Sequence, residues 1–345
     1  MTRPAPEAAS TQGIRATLQE HGKDGTILMA KTKFLFSTDF HGSETVWRKF
    51  LNSAKYFDLD ALVISGDMTG KLLVPIVKRP DGQYDATFYG KPEVLTEEEV
   101  PEFEKKCRMI CYIPYRTTPE EVERLATDMQ YKEDVFERME CEVIRYWLTL
   151  IPERVPSTCK VIISPGNDDK FSIDQVIRAD PNPQVIFGEE EVLALDDEHE
   201  VLCFGWSNPT PFDSPRECCE EEMEQKLERV VAQVKNMETA AFCIHAPPYK
   251  SFIDEAPLLH EDLSLVTAGG HTQSVAVGST AVRKIIEKYQ PMMGLHGHIH
   301  ESPGRVKIGR TECLNPGSEY GEGILKGFLV EIDGPKLTQL RRVDA

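Results

Sequence analysis

Short apolar runs that end abruptly in acids or histidines recur along this chain. Phe34-Leu35-Phe36 leads into Ser37-Thr38-Asp39-Phe40-His41, Ala61-Leu62-Val63-Ile64 into Ser65-Gly66-Asp67, and Val161-Ile162-Ile163 into Ser164-Pro165-Gly166-Asn167-Asp168-Asp169. Further on, Ala241-Phe242-Cys243-Ile244 leads into His245, and Met292-Met293-Gly294-Leu295 into His296-Gly297-His298-Ile299-His300-Glu301. Each run predicts a buried strand with its chemistry at the carboxyl end. Ligands of open α/β sheets sit beyond such ends, so five of them are expected to converge on one site.

Helical spacing fills the intervals. Val46, Phe50, Leu51, Ala54 and Phe57 predict a helix over 43–57 with Ser43 as its N-cap, completing a βαβ unit up to Asp67. An acidic helix is predicted over about 216–235, with Leu227, Val230, Val231 and Val234 inward, and another over Thr280 to Tyr289. Val185-Ile186-Phe187 and Val201 to Phe204 read as further strands. Near the end, Val306 to Leu314, Gly327 to Ile332 and Lys336 to Leu340 read as antiparallel strands, with Asp333-Gly334 as a hairpin turn.

Residues 70–155 break this rhythm. A turn-rich stretch with Pro80-Asp81-Gly82 and Tyr84 to Tyr89, which also reads as a hairpin, precedes helical patterns at about 96–112 and from Thr118-Pro119-Glu120-Glu121 to about Leu150. A mostly helical insertion between two strand ends of one site either caps the mouth or is an ordinary packing pair. Residues 1–28 show no sustained period and are expected to be a loosely ordered leader before a domain spanning 29–345, with Met29 as a candidate native start.

Composition narrows the function. The formal net charge is −18, from 57 acidic and 39 basic residues, which disfavours sequence-blind binding to a nucleic acid backbone. No run approaches the roughly 18 apolar residues of a membrane span, and no secretory h-region opens the chain, so a cytoplasmic location is expected. The nine cysteines include no Cys-x-x-Cys pair, which argues against a zinc knuckle and fits a reducing compartment.

Carboxylates, an asparagine and histidines gathered at buried strand ends need a cation. Oxygen and imidazole donors without a thiolate favour Mn, Fe, Zn or Co over Mg or Ca. The strand ends offer more ligands than one open site needs, so two ions sharing a carboxylate is the natural count, and such pairs suit in-line phosphoryl transfer.

The ordered series Asp39-Phe40-His41, Gly66-Asp67, Gly166-Asn167-Asp168-Asp169, His245 and Gly297-His298-Ile299-His300 resembles the calcineurin-like metallophosphoesterases. That resemblance implies a four-layer αββα sandwich of two mixed sheets. It implies that Asp39, His41, Asp67 and His300 hold one metal, that Asp67, Asn167, His245 and His298 hold the other, and that a metal-bridging hydroxide attacks phosphorus while Asn167 touches a phosphate oxygen. Manganese is the first expectation for the metal, with Fe, Zn, Co or Ni also fitting. Many members carry a leaving-group histidine after the asparagine; here Asp168 stands there, with Asp169 at the usual acidic position. A carboxylic acid donates a proton only where its pKa is raised. Members lacking that histidine include diesterases, so a phosphodiesterase acting on a small or nucleotide-like substrate is expected, ahead of a nuclease, a phosphomonoesterase or a scaffold that has kept only the fold. Asn315-Pro316-Gly317-Ser318 resembles a loop that follows the histidine motif in small bacterial-type phosphodiesterases of this family.

Overall fold

A computed structural model describes residues 31–345. The leader expected over 1–28 and the candidate start at Met29 lie outside the described residues. Two six-stranded mixed sheets carry the architecture. One runs Lys336–Asp344, Lys326–Asp333, Thr32–Ser37, Ala61–Ser65, Lys160–Ser164, Val185–Phe187, and the other runs Gly304–Ile308, Thr311–Asn315, Met293–Leu295, Ala241–Ile244, Glu200–Phe204, Glu191–Ala194. In each sheet the central strands are parallel and antiparallel pairs close an edge.

Strand alternation explains why the apolar runs are continuous. Phe34, Phe36, Ala61, Val63 and Ile162 of the first sheet meet Val201, Cys203, Ala241, Cys243 and Met293 of the second between the layers. The residues between them point the other way. Leu35, Leu62, Ile64 and Ile163 pack under outer helices that include Glu44–Phe57 and Phe171–Arg178, and Leu202, Phe204, Phe242 and Ile244 pack under Glu220–Val231 and Thr280–Tyr289. A strand buried on both faces has no polar alternation. The result is the expected four-layer αββα sandwich.

The stretch 70–155 holds more strand than its pattern suggests. Leu72–Lys78, Tyr84–Phe88, Lys91–Leu95 and Tyr112–Thr117 form a four-stranded sheet, and Val74, Ile76 and Tyr84 pack with Phe103 and Cys107 of the helix Val100–Met109 in a core of their own. Pro114 hides the last strand from a sequence reading, and is tolerated because that strand lies at the sheet's edge. The helical pattern after Thr118 breaks at Asp128, which ends Pro119–Thr127 and caps Met129–Thr149 through the Tyr131 amide. The second of these helices buries Cys141, Ile144, Trp147 and Leu148 in the main core. There Trp147 stacks on Trp47 at 5.2 Å, and the Trp47 indole donates to the Trp147 carbonyl at 3.1 Å.

The single strand expected over Val306 to Leu314 is a hairpin, Gly304–Ile308 and Thr311–Asn315, because Gly309 takes φ +61° at a turn where a Cβ would collide with the Gln290 side chain. Ser43 occupies the N-cap position of its helix but makes no side-chain capping bond. Among the described residues, no helix is long and apolar enough to cross a membrane.

The turn between Glu191–Ala194 and Glu200–Phe204 holds an ion pair, Asp196 with His199, and each partner also bonds to the first sheet. His199 donates through Nδ1 to Asp196 at 2.7 Å and through Nε2 to the Gly334 carbonyl at 2.8 Å, while Thr32 Oγ1 donates to Asp196 at 2.5 Å. Burial lowers the imidazole, but Asp196 and the Gly334 carbonyl outweigh it and raise it above its ordinary 6.5. Burial raises the Asp196 carboxyl, but the bonds from His199 and Thr32 hold it well below 3.8.

Two measurements test this packing. Trp147→Ala should cost about 3–5 kcal/mol in urea unfolding, the usual scale for a buried tryptophan, because it opens the main core rather than the insertion. The tie at His199 stabilises most where Asp196 is ionised and His199 protonated. Its contribution is lost as pH falls through the depressed Asp196 value or rises through the raised His199 value. The melting-temperature deficit of His199→Gln should therefore be larger at about pH 5.5 than at about pH 9, and an equal deficit at both would contradict the ion pair.

Candidate metal centre

The chain after each central strand turns sharply. Asp39, His41, Asp67 and His298 all have positive φ, 55°, 41°, 51° and 68°, a conformation uncommon outside glycine and frequent at functional sites. Two of these turns are zipped together: Asp39 N donates to Gly66 O at 3.0 Å, His41 N to Asp67 O at 2.8 Å and Gly42 N to Met68 O at 2.8 Å. Gly66 and Gly166 approach so closely that a Cβ on either would collide with the neighbouring loop, and a Cβ on Gly297 would strike Thr38 and Asp39. Asp39 accepts from the His298 amide at 3.1 Å, and Ser318 Oγ donates to the Asp39 carbonyl at 2.6 Å, which ties in the 315–318 loop.

The side chains so placed include two groups whose ligand atoms lie within 4.8 Å of one another, Asp39 with His41 and His300, and Asp67 with His245 and His298, and Asp168 makes a further group with His41 and Asp67. Asp67 Oδ2 lies between them, 3.7 Å from His41 Nε2 and 3.4 Å from His245 Nε2. His41 and His300 bring their Nε2 atoms to 3.1 Å, and His300 Nε2 is 3.3 Å from Asp39 Oδ1. His245 donates through Nδ1 to the Ser65 carbonyl at 2.5 Å, which turns Nε2 toward the carboxylates. His245 Nε2 and Asn167 Oδ1 are buried without a hydrogen-bond partner. Buried polar atoms are rarely left so, and these imidazole and oxygen donors fit a metal ion.

Protonation follows the same division. Burial lowers His300 and His245, but Asp39 raises the first and Asp67 pushes the second up to about 10. Burial, with their imidazole neighbours, pushes His298 down to about 3 and holds His41 well below its usual range. Burial also raises Asp67, to about 6 against the pull of His245, whereas at Asp39 the histidines outweigh burial and hold the carboxyl low. In each group the carboxylate thus raises the imidazole beside it, Asp39 that of His300 and Asp67 that of His245.

Asp168 and Asp169 have separate surroundings. Asp169 accepts from the amides of Gly166 at 3.0 Å, Met68 at 3.0 Å and Thr69 at 3.1 Å, so it braces the Asp67 and Asn167 turns against each other. Asp168 Oδ2 pairs with Lys71 Nζ at 2.5 Å, and Oδ1 accepts from Ser214 Oγ at 2.7 Å. Burial raises its carboxyl, but Lys71 and His41 prevail and bring it down to about 2.

Of the other histidines, His296 is buried and donates to the Ile244 and Ala246 carbonyls, whereas His260 and His271 are exposed on ribbons away from the cluster. Sequence reasoning does not find Lys71, Ser214 or Tyr320. The ring of Tyr320 lies 4.7 Å from His41. Lys71 follows the Gly66-Asp67 motif by four residues and Tyr320 stands just after the Asn315-Pro316-Gly317-Ser318 loop, whereas nothing in the sequence around Ser214 marks it.

No family model matches the sequence. The uncharacterized protein MJ1162 of Methanocaldococcus jannaschii is 32% identical over 166 residues, 47% of this chain and 62% of that protein, so the match spans less than two thirds of the relative's length. Among solved structures, one crystal structure superposes with a TM-score of 0.57 at 18% identity, covering 91% of this chain and 99% of its own. TT1561 of Thermus thermophilus superposes with a TM-score of 0.51 at 12% identity, over 91% and 99%. The likeness at these identities is one of fold. Fold and buried cluster together define an αββα sandwich with His and Asp groups able to hold metal ions.

Adding Mn or Zn to chelator-treated protein should raise its melting temperature, corresponding to about 2.7 kcal/mol when the metal is at 100 times its Kd. The gain should be smaller at lower pH, because the imidazoles must give up protons. Loss of the gain in His245→Ala, with the metal-free melting temperature nearly kept, would place the metal here; an unchanged gain would place it elsewhere.

Proposed function

We propose that the chain is a dinuclear metal-dependent phosphoesterase, and specifically a phosphodiesterase acting on a small or nucleotide-like substrate. One observation carries the reading: a single carboxylate oxygen, Asp67 Oδ2, faces an imidazole from each of two buried donor groups. On this reading Asp39, His41, Asp67 and His300 hold one ion, and Asp67, Asn167, His245 and His298 hold the other. The mixed oxygen and nitrogen donors favour Mn, with Fe, Zn, Co or Ni also suited. Bound there, the ions would lower the pKa of a water so that it can attack phosphorus, and would bear the charge of the phosphate oxygens.

The chain's own groups favour a diester. The position after Asn167 holds an ionised carboxylate, Asp168, next to the donor groups. With that carboxylate paired to Lys71 at 2.5 Å and no histidine at the position, the reading favours a diester over a monoester. Asn167, with Oδ1 unpartnered, is placed to serve both a metal and, through its amide, a phosphate oxygen.

Chelator-stripped protein should regain turnover of bis-p-nitrophenyl phosphate with Mn, Ni, Co or Zn, with slower turnover of p-nitrophenyl phosphate. Asp67→Ala should lose at least about 100-fold, the scale of a lost electrostatic contribution. Faster monoester turnover would replace the diesterase reading by a phosphomonoesterase. Silence with no bound metal would leave only a scaffold.

A further inference from the structure

We propose that Lys71 holds the leaving oxygen of the substrate and that Asp168 is the residue that positions it; the inference rests on the phosphodiesterase reading above. Lys71 is the last residue before the insertion's first strand, Leu72–Lys78, and its root is fixed. Asp169 accepts the amides of Met68 and Thr69. Gly70 then passes so close to the neighbouring turns that a Cβ on Gly42 would lie 2.7 Å from its Cα, and a Cβ on Gly70 itself 2.9 Å from the Cys111 carbonyl. Little freedom remains before the lysine.

The ammonium is held from the other side as well. Asp168 Oδ2 takes it at 2.5 Å and lies 4.0 Å from His41 Nδ1, while Oδ1 accepts from Ser214 Oγ at 2.7 Å and the Asp168 amide donates to Asp67 Oδ1 at 3.0 Å. Asp168 therefore connects the lysine, through its carboxylate, to Asp67, through its amide. Surface ion pairs contribute little when both partners are free in solvent. This one differs: the Asp168 side chain is 22% exposed and held by Ser214, with its own amide fixed on Asp67, whereas the side chain of Lys71 is 56% exposed, open to a substrate. An ammonium has three N–H donors, so one can stay on Asp168 while the others turn to an incoming oxygen.

The chemistry assigned to it is electrostatic. Water oxygen forms the new bond to phosphorus as the bond to the leaving oxygen breaks, and the leaving oxygen departs with that electron pair. Lys71 N–H groups hold the developing charge, and the oxygen then takes a proton from solvent, to which the attacking water has released one. A fixed cation where a proton donor would otherwise stand serves poor leaving groups most.

The test compares methyl aryl phosphodiesters whose leaving groups run from p-nitrophenol to unsubstituted phenol, on Mn-loaded wild-type, Lys71→Ala, Lys71→Arg and Asp168→Ala proteins, with bound metal counted in each. Lys71→Ala should keep its metal and lose about 10-fold on the p-nitrophenyl diester but about 100-fold or more on the phenyl diester, within the range of a lost leaving-group contribution. Lys71→Arg should recover most of the loss. Asp168→Ala should show the same gradient, and the double variant should be no worse than Lys71→Ala alone, as befits one unit. A loss equal across the series, or one that tracks lost metal, overturns the assignment while leaving the phosphodiesterase reading intact. Absence of diester turnover in the wild-type protein overturns both.

Discussion

The position of Asp67 sets what the rest of the site can be. Its carboxylate is withdrawn from water between His41 and His245, a place where neither a bare charge nor a lone pair is tolerated without a partner. The fold provides that place by ending parallel strands from two sheets at one edge, and the backbone completes it with turns that ordinary residues avoid. Four non-glycine residues in the left-handed region, each costing of order 1–3 kcal/mol, are kept because the loops are zipped amide to carbonyl. Local stability has been given up to aim side chains inward.

The sandwich is legible in the sequence because strands buried on both faces leave uninterrupted apolar runs, and because the residue after each run changes character at once. Phe34-Leu35-Phe36 before Asp39 is an example: the two phenylalanines fill the space between the sheets and the leucine packs under the helices. The insertion is less legible. Its sheet is short, has its own small core and includes Pro75 and Pro114, so alternation is weak and proline argues against strand. The break at Asp128 escapes a sequence reading for a related reason, since the helices on either side share a continuous polar pattern while only the second reaches the main core.

At the site, the strand-end residues can be found from position in the chain, and what surrounds them cannot. Ser214 reaches Asp168 from a segment that chain order does not place there, and the contacts of Lys71 and Tyr320 do not show in their sequence neighbourhoods. Asp168 shows the consequence. Its identity raises the question of an acid, and a lysine at 2.5 Å, invisible as a partner in the sequence, opposes the burial that would raise its pKa. The loop Asn315-Pro316-Gly317-Ser318 is a plain turn by sequence, yet it ties the Asp39 carbonyl and the His300 carbonyl through Ser318.

The most direct test of the shared carboxylate is the electron paramagnetic resonance spectrum of the Mn-loaded protein. Two ions bridged by Asp67 are expected to give an exchange-coupled spectrum that reverts to that of isolated Mn(II) in Asp67→Ala. An isolated-ion spectrum from fully loaded wild-type protein would contradict a bridged pair and leave two separate sites, or one.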